Sequence, residues 1–170
     1  MKSRVCFCRQ WLFPILMLFS VQCFSLPDQS WHLVGKARFS FLWFKVYDAR
    51  LLTPDGHYID GQRPVRFEIN YHLPVTSQQL VQLTHKEWGK QNLFHPAQAG
   101  WLEDLMFIWP EIQSGDTLVL EINAAGHSVF FYNGMALGTM ENTDFGSHFL
   151  AIWLSEKSSN LLQRQQLLGY

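Results

Sequence analysis

VGKARFSFLWFKVYDARLL, residues Val34 to Leu52, is two strand-like runs set back to back. In the first, Leu33, Ala37, Phe39, Phe41 and Trp43 fall on one face at period two. His32, Lys36, Arg38 and Ser40 fall on the other. This predicts a strand over residues 31–44 and a second over 45–53, with Tyr47 inside the second. Arg38 is a lone arginine in an apolar and aromatic run. Aimed into a cleft, it is a charge-assisted hook for an anion. Aimed into water, it is a surface charge. Alternation favours the second reading, because Arg38 shares its face with Lys36 and Ser40.

Working outward, Pro54-Asp55-Gly56 is a turn. Residues 65–73 then alternate cleanly, with Phe67, Ile69, Tyr71 and Leu73 against Arg66, Glu68, Asn70 and His72. That is the pattern of an antiparallel sheet with one covered face. Thr76 followed three residues later by Gln79 is a capping box opening a helix, with Leu80, Val81, Leu83 and Trp88 as its buried stripe. Pro96 starts a second helix, striped by Trp101, Leu102, Leu105, Met106 and Trp109, and Pro110 ends it. Strands follow over 117–123, 127–132 and 135–140, the last two joined by the hairpin dipeptide Asn133-Gly134. A helix capped near Asn142 or Thr143 carries Phe145, Phe149, Ile152 and Trp153, and a last helix is capped by Ser158 and closed by Gly169. Strands, helices, strands, helices is an α+β order: helices packed on an antiparallel sheet. No βαβ alternation, glycine-rich dinucleotide turn or phosphate loop is present.

Lys2, Arg4 and Arg9 precede an apolar run from Trp11 to Val21, too short for the roughly 20 residues of a comfortable membrane span. Small side chains at Cys23 and Ser25 suit cleavage before Leu26. Residues 1–25 therefore read as a secretory signal, with an uncleaved anchor as the alternative. Residues 26–170 read as one domain, periplasmic or secreted. All three cysteines, Cys6, Cys8 and Cys23, lie in the signal, so a mature chain has no disulfide, thiolate metal site or cysteine nucleophile. Removing the three basic residues leaves ten Lys and Arg against fourteen Asp and Glu, a net charge of about −4 with histidine neutral. With no Lys/Arg run, nucleic acid and anionic membrane surfaces are poor partners.

These residues, in this order, resemble the chalcone isomerase-like family, especially its bacterial exported branch. Gly35 and Arg38, Val46-Tyr47-Asp48-Ala49 and Leu51 carry the resemblance, followed by Gly115-Asp116, Tyr132-Asn133-Gly134, Ile152-Trp153-Leu154 and Leu167-Leu168-Gly169. It implies an open-faced antiparallel sheet layered with helices and a cleft between them. Plant members cyclise a chalcone, and fatty-acid-binding relatives hold a fatty acid in the same cleft. In both, the arginine matching Arg38 meets an anionic oxygen at the cleft, which turns the polar face of its strand inward. In the binders a second-strand tyrosine, here Tyr47, helps hold the carboxylate.

The expected ligand site is accordingly Arg38 with Tyr47, for a fatty acid or similar amphipathic acid, with no cofactor and no metal. The isomerase also needs threonine, tyrosine and asparagine in the cleft. Only Asn92 and Tyr71 offer themselves, without a surrounding motif, so binding is expected over catalysis. An isomerase acting on an unsaturated carbonyl compound is the alternative. A scaffold for protein contacts, with a filled core, is a third. Asp144 and His148, four apart on a helix, read as a surface pair. Trp101, Met106, Phe107, Trp109, Phe145, Phe149 and Trp153 read as core at helical spacing, some of them lining any cleft.

Overall fold

The computed structural model describes residues 30–170. The expected signal segment, residues 1–25, lies outside the described residues. Six strands form one antiparallel sheet in the order β1-β2-β3-β4-β5-β6. They are β1 (His32–Phe41), β2 (Phe44–Thr53), β3 (Val65–Tyr71), β4 (Thr117–Ile122), β5 (Ser128–Tyr132) and β6 (Met135–Met140). Helices α1 (Ser77–Lys90) and α2 (Gln98–Ile108) lie between β3 and β4 in the chain, and α3 (Phe145–Leu154) and α4 (Leu161–Leu167) follow β6. No described helix is long and apolar enough to cross a membrane.

Alternation sorts the sheet into two faces. Ala49, Leu51, Phe67, Ile69, Leu118, Leu120 and Phe130 are buried in one core with Trp88, Trp101, Leu105 and Phe149 from the helices. The opposite face is polar. Arg50 pairs with Glu68 at 3.0 Å, Arg66 with Glu68 at 2.8 Å, and Arg66 also with Glu121. The register that sets Arg50 against Glu68 and Arg66 against Glu121 makes these cross-strand pairs. The expected open-faced α+β sheet is what the chain forms.

Local signals explain most boundaries. Thr76 caps α1, accepting from the Gln79 amide, while the Gln79 side chain accepts from Thr76 N–H at 2.9 Å. Asn133 (φ 49°) and Gly134 (φ 84°) make the β5–β6 turn. Asp116 secures that turn, accepting from Tyr132 Oη at 2.6 Å and Asn133 Nδ2 at 2.9 Å. The Gly115-Asp116 and Tyr132-Asn133-Gly134 motifs are therefore turn architecture. Gly35 lets α4 rest on β1: a Cβ there would lie 2.5 Å from the Leu167 carbonyl oxygen.

Four expectations need correction. The first strand ends at Phe41, and Trp43 stands 93% exposed in the turn. Leu83 and Met106, expected in buried stripes, are exposed, while Thr84 is buried on α1. The last helix is capped by Asn160, whose side chain accepts from Gln163 N–H at 3.0 Å. Ser158 Oγ instead donates to the Ile152 carbonyl.

Candidate functional site

A cavity of about 780 Å³ opens between the covered face of the sheet and the helices. That is within the range of small-molecule sites, roughly 300–1,000 Å³. Its apolar wall is made by inward positions of the central strands, Phe67, Ile69, Leu118, Leu120 and Phe130, with Phe149 and Ile152 of α3 opposite. Leu73, Pro74 and Leu83 also line it. The exposure of Leu83 follows from this, because its side chain meets the cavity rather than packed core.

One corner is polar. Tyr47 on β2 reaches Trp153 of α3 and Gln163 of α4. Trp153 Nε1–H donates to Tyr47 Oη at 2.9 Å, and Gln163 Nε2 lies 3.2 Å from the same oxygen. The phenol hydrogen has only a long contact, 3.5 Å to Gln163 Oε1, which an oxygen held in the cavity at ordinary hydrogen-bond distance would replace. Burial raises the Tyr47 pKa against the opposing effect of those two bonds, so the group stays a neutral O–H donor. Tyr71 also lines the cavity, and its pKa is raised further, mainly by burial and then by nearby Tyr47. The Trp109 Nε1–H of the same lining is buried with no acceptor among the described residues.

Glu87, Lys86 and Lys90 of α1 and Ser159 and Asn160 before α4 also line the cavity. Lys90 is paired with Glu87 at 2.5 Å, and Ser159 Oγ donates to Glu87 at 2.6 Å. Lys86 has no carboxylate partner among the described residues. The lining is amphipathic: many apolar side chains, the hydroxyl and amide groups of Tyr47 and Gln163, and the Lys86 cation.

Of the two expected ligand residues, only Tyr47 lines this cavity. Arg38 lies on the face of β1 opposite Ala37 and Phe39, and Phe39 is the residue that lines the cavity. Its guanidinium is engaged by Asp48, with Nε 2.5 Å from Oδ1 and Nη2 3.0 Å from Oδ2, and the side chain is half exposed. His72 Nε2 lies 2.9 Å from Asp48 Oδ2. The Arg38 hydrogen bonds, opposed by burial and assisted by His72, bring the Asp48 pKa down to about 2. Arg38, Asp48 and His72 thus form a cluster on the polar face of the sheet. The reason is the packing of α4, which covers the Gly35–Ala37–Phe39 face and leaves the Arg38 face outward.

The remaining candidates separate in the same way. Tyr71 is at the cavity, whereas Asn92 ends α1 in a left-handed turn (φ 54°) and is not part of the lining. Asp144 and His148 do not pair. Asp144 Oδ2 is 3.5 Å from His95, and His148 Nε2 is 2.6 Å from Gln98. His148 sits edge-on to Trp88, and burial, then neighbouring His95, lowers its pKa. Trp109, Phe149 and Trp153 are both core and cavity wall, whereas Trp101 lines a shallower depression between α2 and β6 with Phe107, which is exposed and not core. Lys86 and Gln163 carried no sequence signal: each is one polar residue on an amphipathic helix. Trp153 was visible as part of Ile152-Trp153-Leu154, but its hydrogen-bonding role was not.

Comparison with known proteins adds three findings. Residues 22–169 match the family described as chalcone isomerase-like. An uncharacterized protein of Haemophilus influenzae is 25% identical over 145 residues, 85% of this chain and 71% of that one. The crystal structure of an Arabidopsis thaliana fatty-acid binding protein superposes with a TM-score of 0.65 at 12% identity, covering 85% of this chain and 89% of that one. At that identity the superposition speaks for the fold.

Proposed function

The chain belongs to the chalcone isomerase-like family, and from that premise we propose that it binds a fatty acid or a similar amphipathic acid in the cavity between sheet and helices. The observation that carries the reading is a cavity lined by apolar side chains together with the hydrogen-bonded Tyr47, Trp153 and Gln163 group and the Lys86 cation. The tail lies along Phe67, Ile69, Leu120 and Phe149. The carboxylate accepts from the Tyr47 hydroxyl and pairs with Lys86. The likeness to a protein named for fatty-acid binding points the same way. Arg38 has no part in this reading, since Asp48 already holds its guanidinium. The binding takes place outside the cytoplasm if residues 1–25 act as an export signal.

Binding is favoured over isomerisation. The described lining holds no arginine to favour a substrate phenolate, and the tyrosines are kept neutral by burial. A pure scaffold would have a filled core, which an open volume of about 780 Å³ argues against.

The test is displacement of a fluorescent fatty acid by unlabelled acid, with mass spectrometry of lipid extracted from the purified protein. A charge-assisted contact contributes about 1.5–3 kcal/mol, so Lys86→Glu is expected to weaken binding by about tenfold or more. Arg38→Ala is expected to leave it unchanged. Absence of any bound or extractable acid refutes the reading, and equal affinity in Lys86→Glu refutes the anchor.

A further inference from the structure

The β1–β2 hairpin ends in Phe41-Leu42-Trp43-Phe44, and all four side chains are 62–93% exposed. We infer that this tip inserts into the interfacial layer of a lipid bilayer and docks the protein there. The inference rests on the hairpin and not on what fills the cavity.

The tip is a convex finger with no covered side. Phe41 and Phe44 face each other across the last pair of the ladder, and Leu42 and Trp43 form the two-residue turn. Leu42 has φ 54°, at the first turn position, where two-residue hairpins use glycine. A leucine is strained there, and its side chain is 74% exposed, so packing within the domain does little to offset the strain. Leu42 and Trp43 bury little surface within the domain, which directs attention to an occupant outside it.

Shape and charge select the occupant. A projecting finger of Phe, Leu, Trp and Phe is suited to entering a deformable apolar layer, with tryptophan at the headgroup level. From Phe39 to Tyr47 the one charged residue is Lys45. It is exposed and has no carboxylate partner among the described residues. A cation next to an apolar tip complements the phosphates of anionic lipid. Phe39 and Val46 line the cavity, and Phe39 is two residues, or about 7 Å, from Phe41 along the strand. Insertion of the tip therefore brings the cavity mouth close to the headgroups, where an amphipathic acid can enter or leave.

The experiment is flotation with vesicles of phosphatidylethanolamine and phosphatidylglycerol, and separately of phosphatidylcholine alone. The protein is used in the form recovered from cells. Wild type is compared with the double variant L42G/W43S in the same N-terminal form, so that residues 1–29 contribute equally to both. Glycine suits the positive φ at position 42, so the double variant retains the hairpin; W43S alone provides a second variant with the native turn residue. Wild type is expected to float with the anionic vesicles. The double variant is expected to partition at least about tenfold less, and W43S less than wild type, with no loss of melting temperature in either. Brominated lipid is expected to quench wild-type fluorescence more than that of W43S. Failure of wild type to float, or equal flotation of wild type and both variants, overturns the inference. So does a wild-type dimer that the variants convert to monomer with no difference in vesicle binding, since the tip then serves a second copy of the chain.

Discussion

Gly35→Ala tests the contact that orients the whole site. In the native fold β1 and α4 meet at Gly35 with no side chain between them. An added Cβ would overlap the Gln166 carbonyl oxygen and lie 2.5 Å from the Leu167 oxygen and 2.7 Å from its carbonyl carbon. These are backbone atoms, so no rotamer change relieves the clash, and α4 must withdraw by about 1 Å to restore van der Waals contact. Overpacking of this kind costs about 1–3 kcal/mol. Partial exposure of Leu167, fully buried at present, adds to it. A total near 3 kcal/mol lowers the melting temperature by about 6–12 °C for a domain of this size. Gly100→Ala is the control. Gly100 lies in α2 with nothing within 4 Å of an added Cβ, so the same change there is expected to stabilise by up to about 1 kcal/mol. Thermal unfolding followed by circular dichroism measures both. A Gly35→Ala melting temperature within about 1 °C of wild type would refute the packing argument. Because α4 carries Gln163 to Tyr47, fatty-acid affinity is expected to fall with the stability of Gly35→Ala and to be unchanged in Gly100→Ala.

Three further outcomes follow from the same geometry. Tyr47→Phe leaves the Trp153 indole N–H and the Gln163 amide without their shared acceptor. It is expected to cost about 1–3 kcal/mol in urea unfolding while also weakening fatty-acid binding. The Asp48 pKa is depressed in the folded state, so its contribution is present above the unfolded value of 3.8 and lost as pH falls towards about 2. Arg38→Ala is therefore expected to flatten the acid-denaturation profile in that window, and an unchanged profile counts against the ion pair. His148 is held neutral, so the unfolded chain binds more protons once pH falls below the ordinary histidine value of 6.5. Stability is expected to drop below that pH in wild type and less so in His148→Gln, measured by denaturant midpoints across the range.

Much of the architecture was legible because it depends on neighbours in sequence. The Thr76–Gln79 capping box and the Asn133-Gly134 turn are local chemistry, and both form as expected. Misplaced features were those settled at a distance. Thr84 and not Leu83 is the buried position of α1, because the helix is rotated by what it packs on and not by its own spacing. Asp144 and His148 are correctly spaced for contact, but His95 and Gln98 from the α1–α2 region come closer.

Arg38 shows where the division falls. The alternation of residues 31–44 determined that Arg38 and Phe39 lie on opposite faces. Alternation is symmetric, however, and has no term saying which face is covered. That was decided by α4, about 130 residues later in the chain, closing on Gly35 and carrying Gln163 to Tyr47. The sequence therefore determined the strands, the turns, the helix caps and the pairing of faces. The tertiary structure decided that Tyr47 looks into the cavity and Arg38 away from it, because burial belongs to the packed layers and not to any one of them.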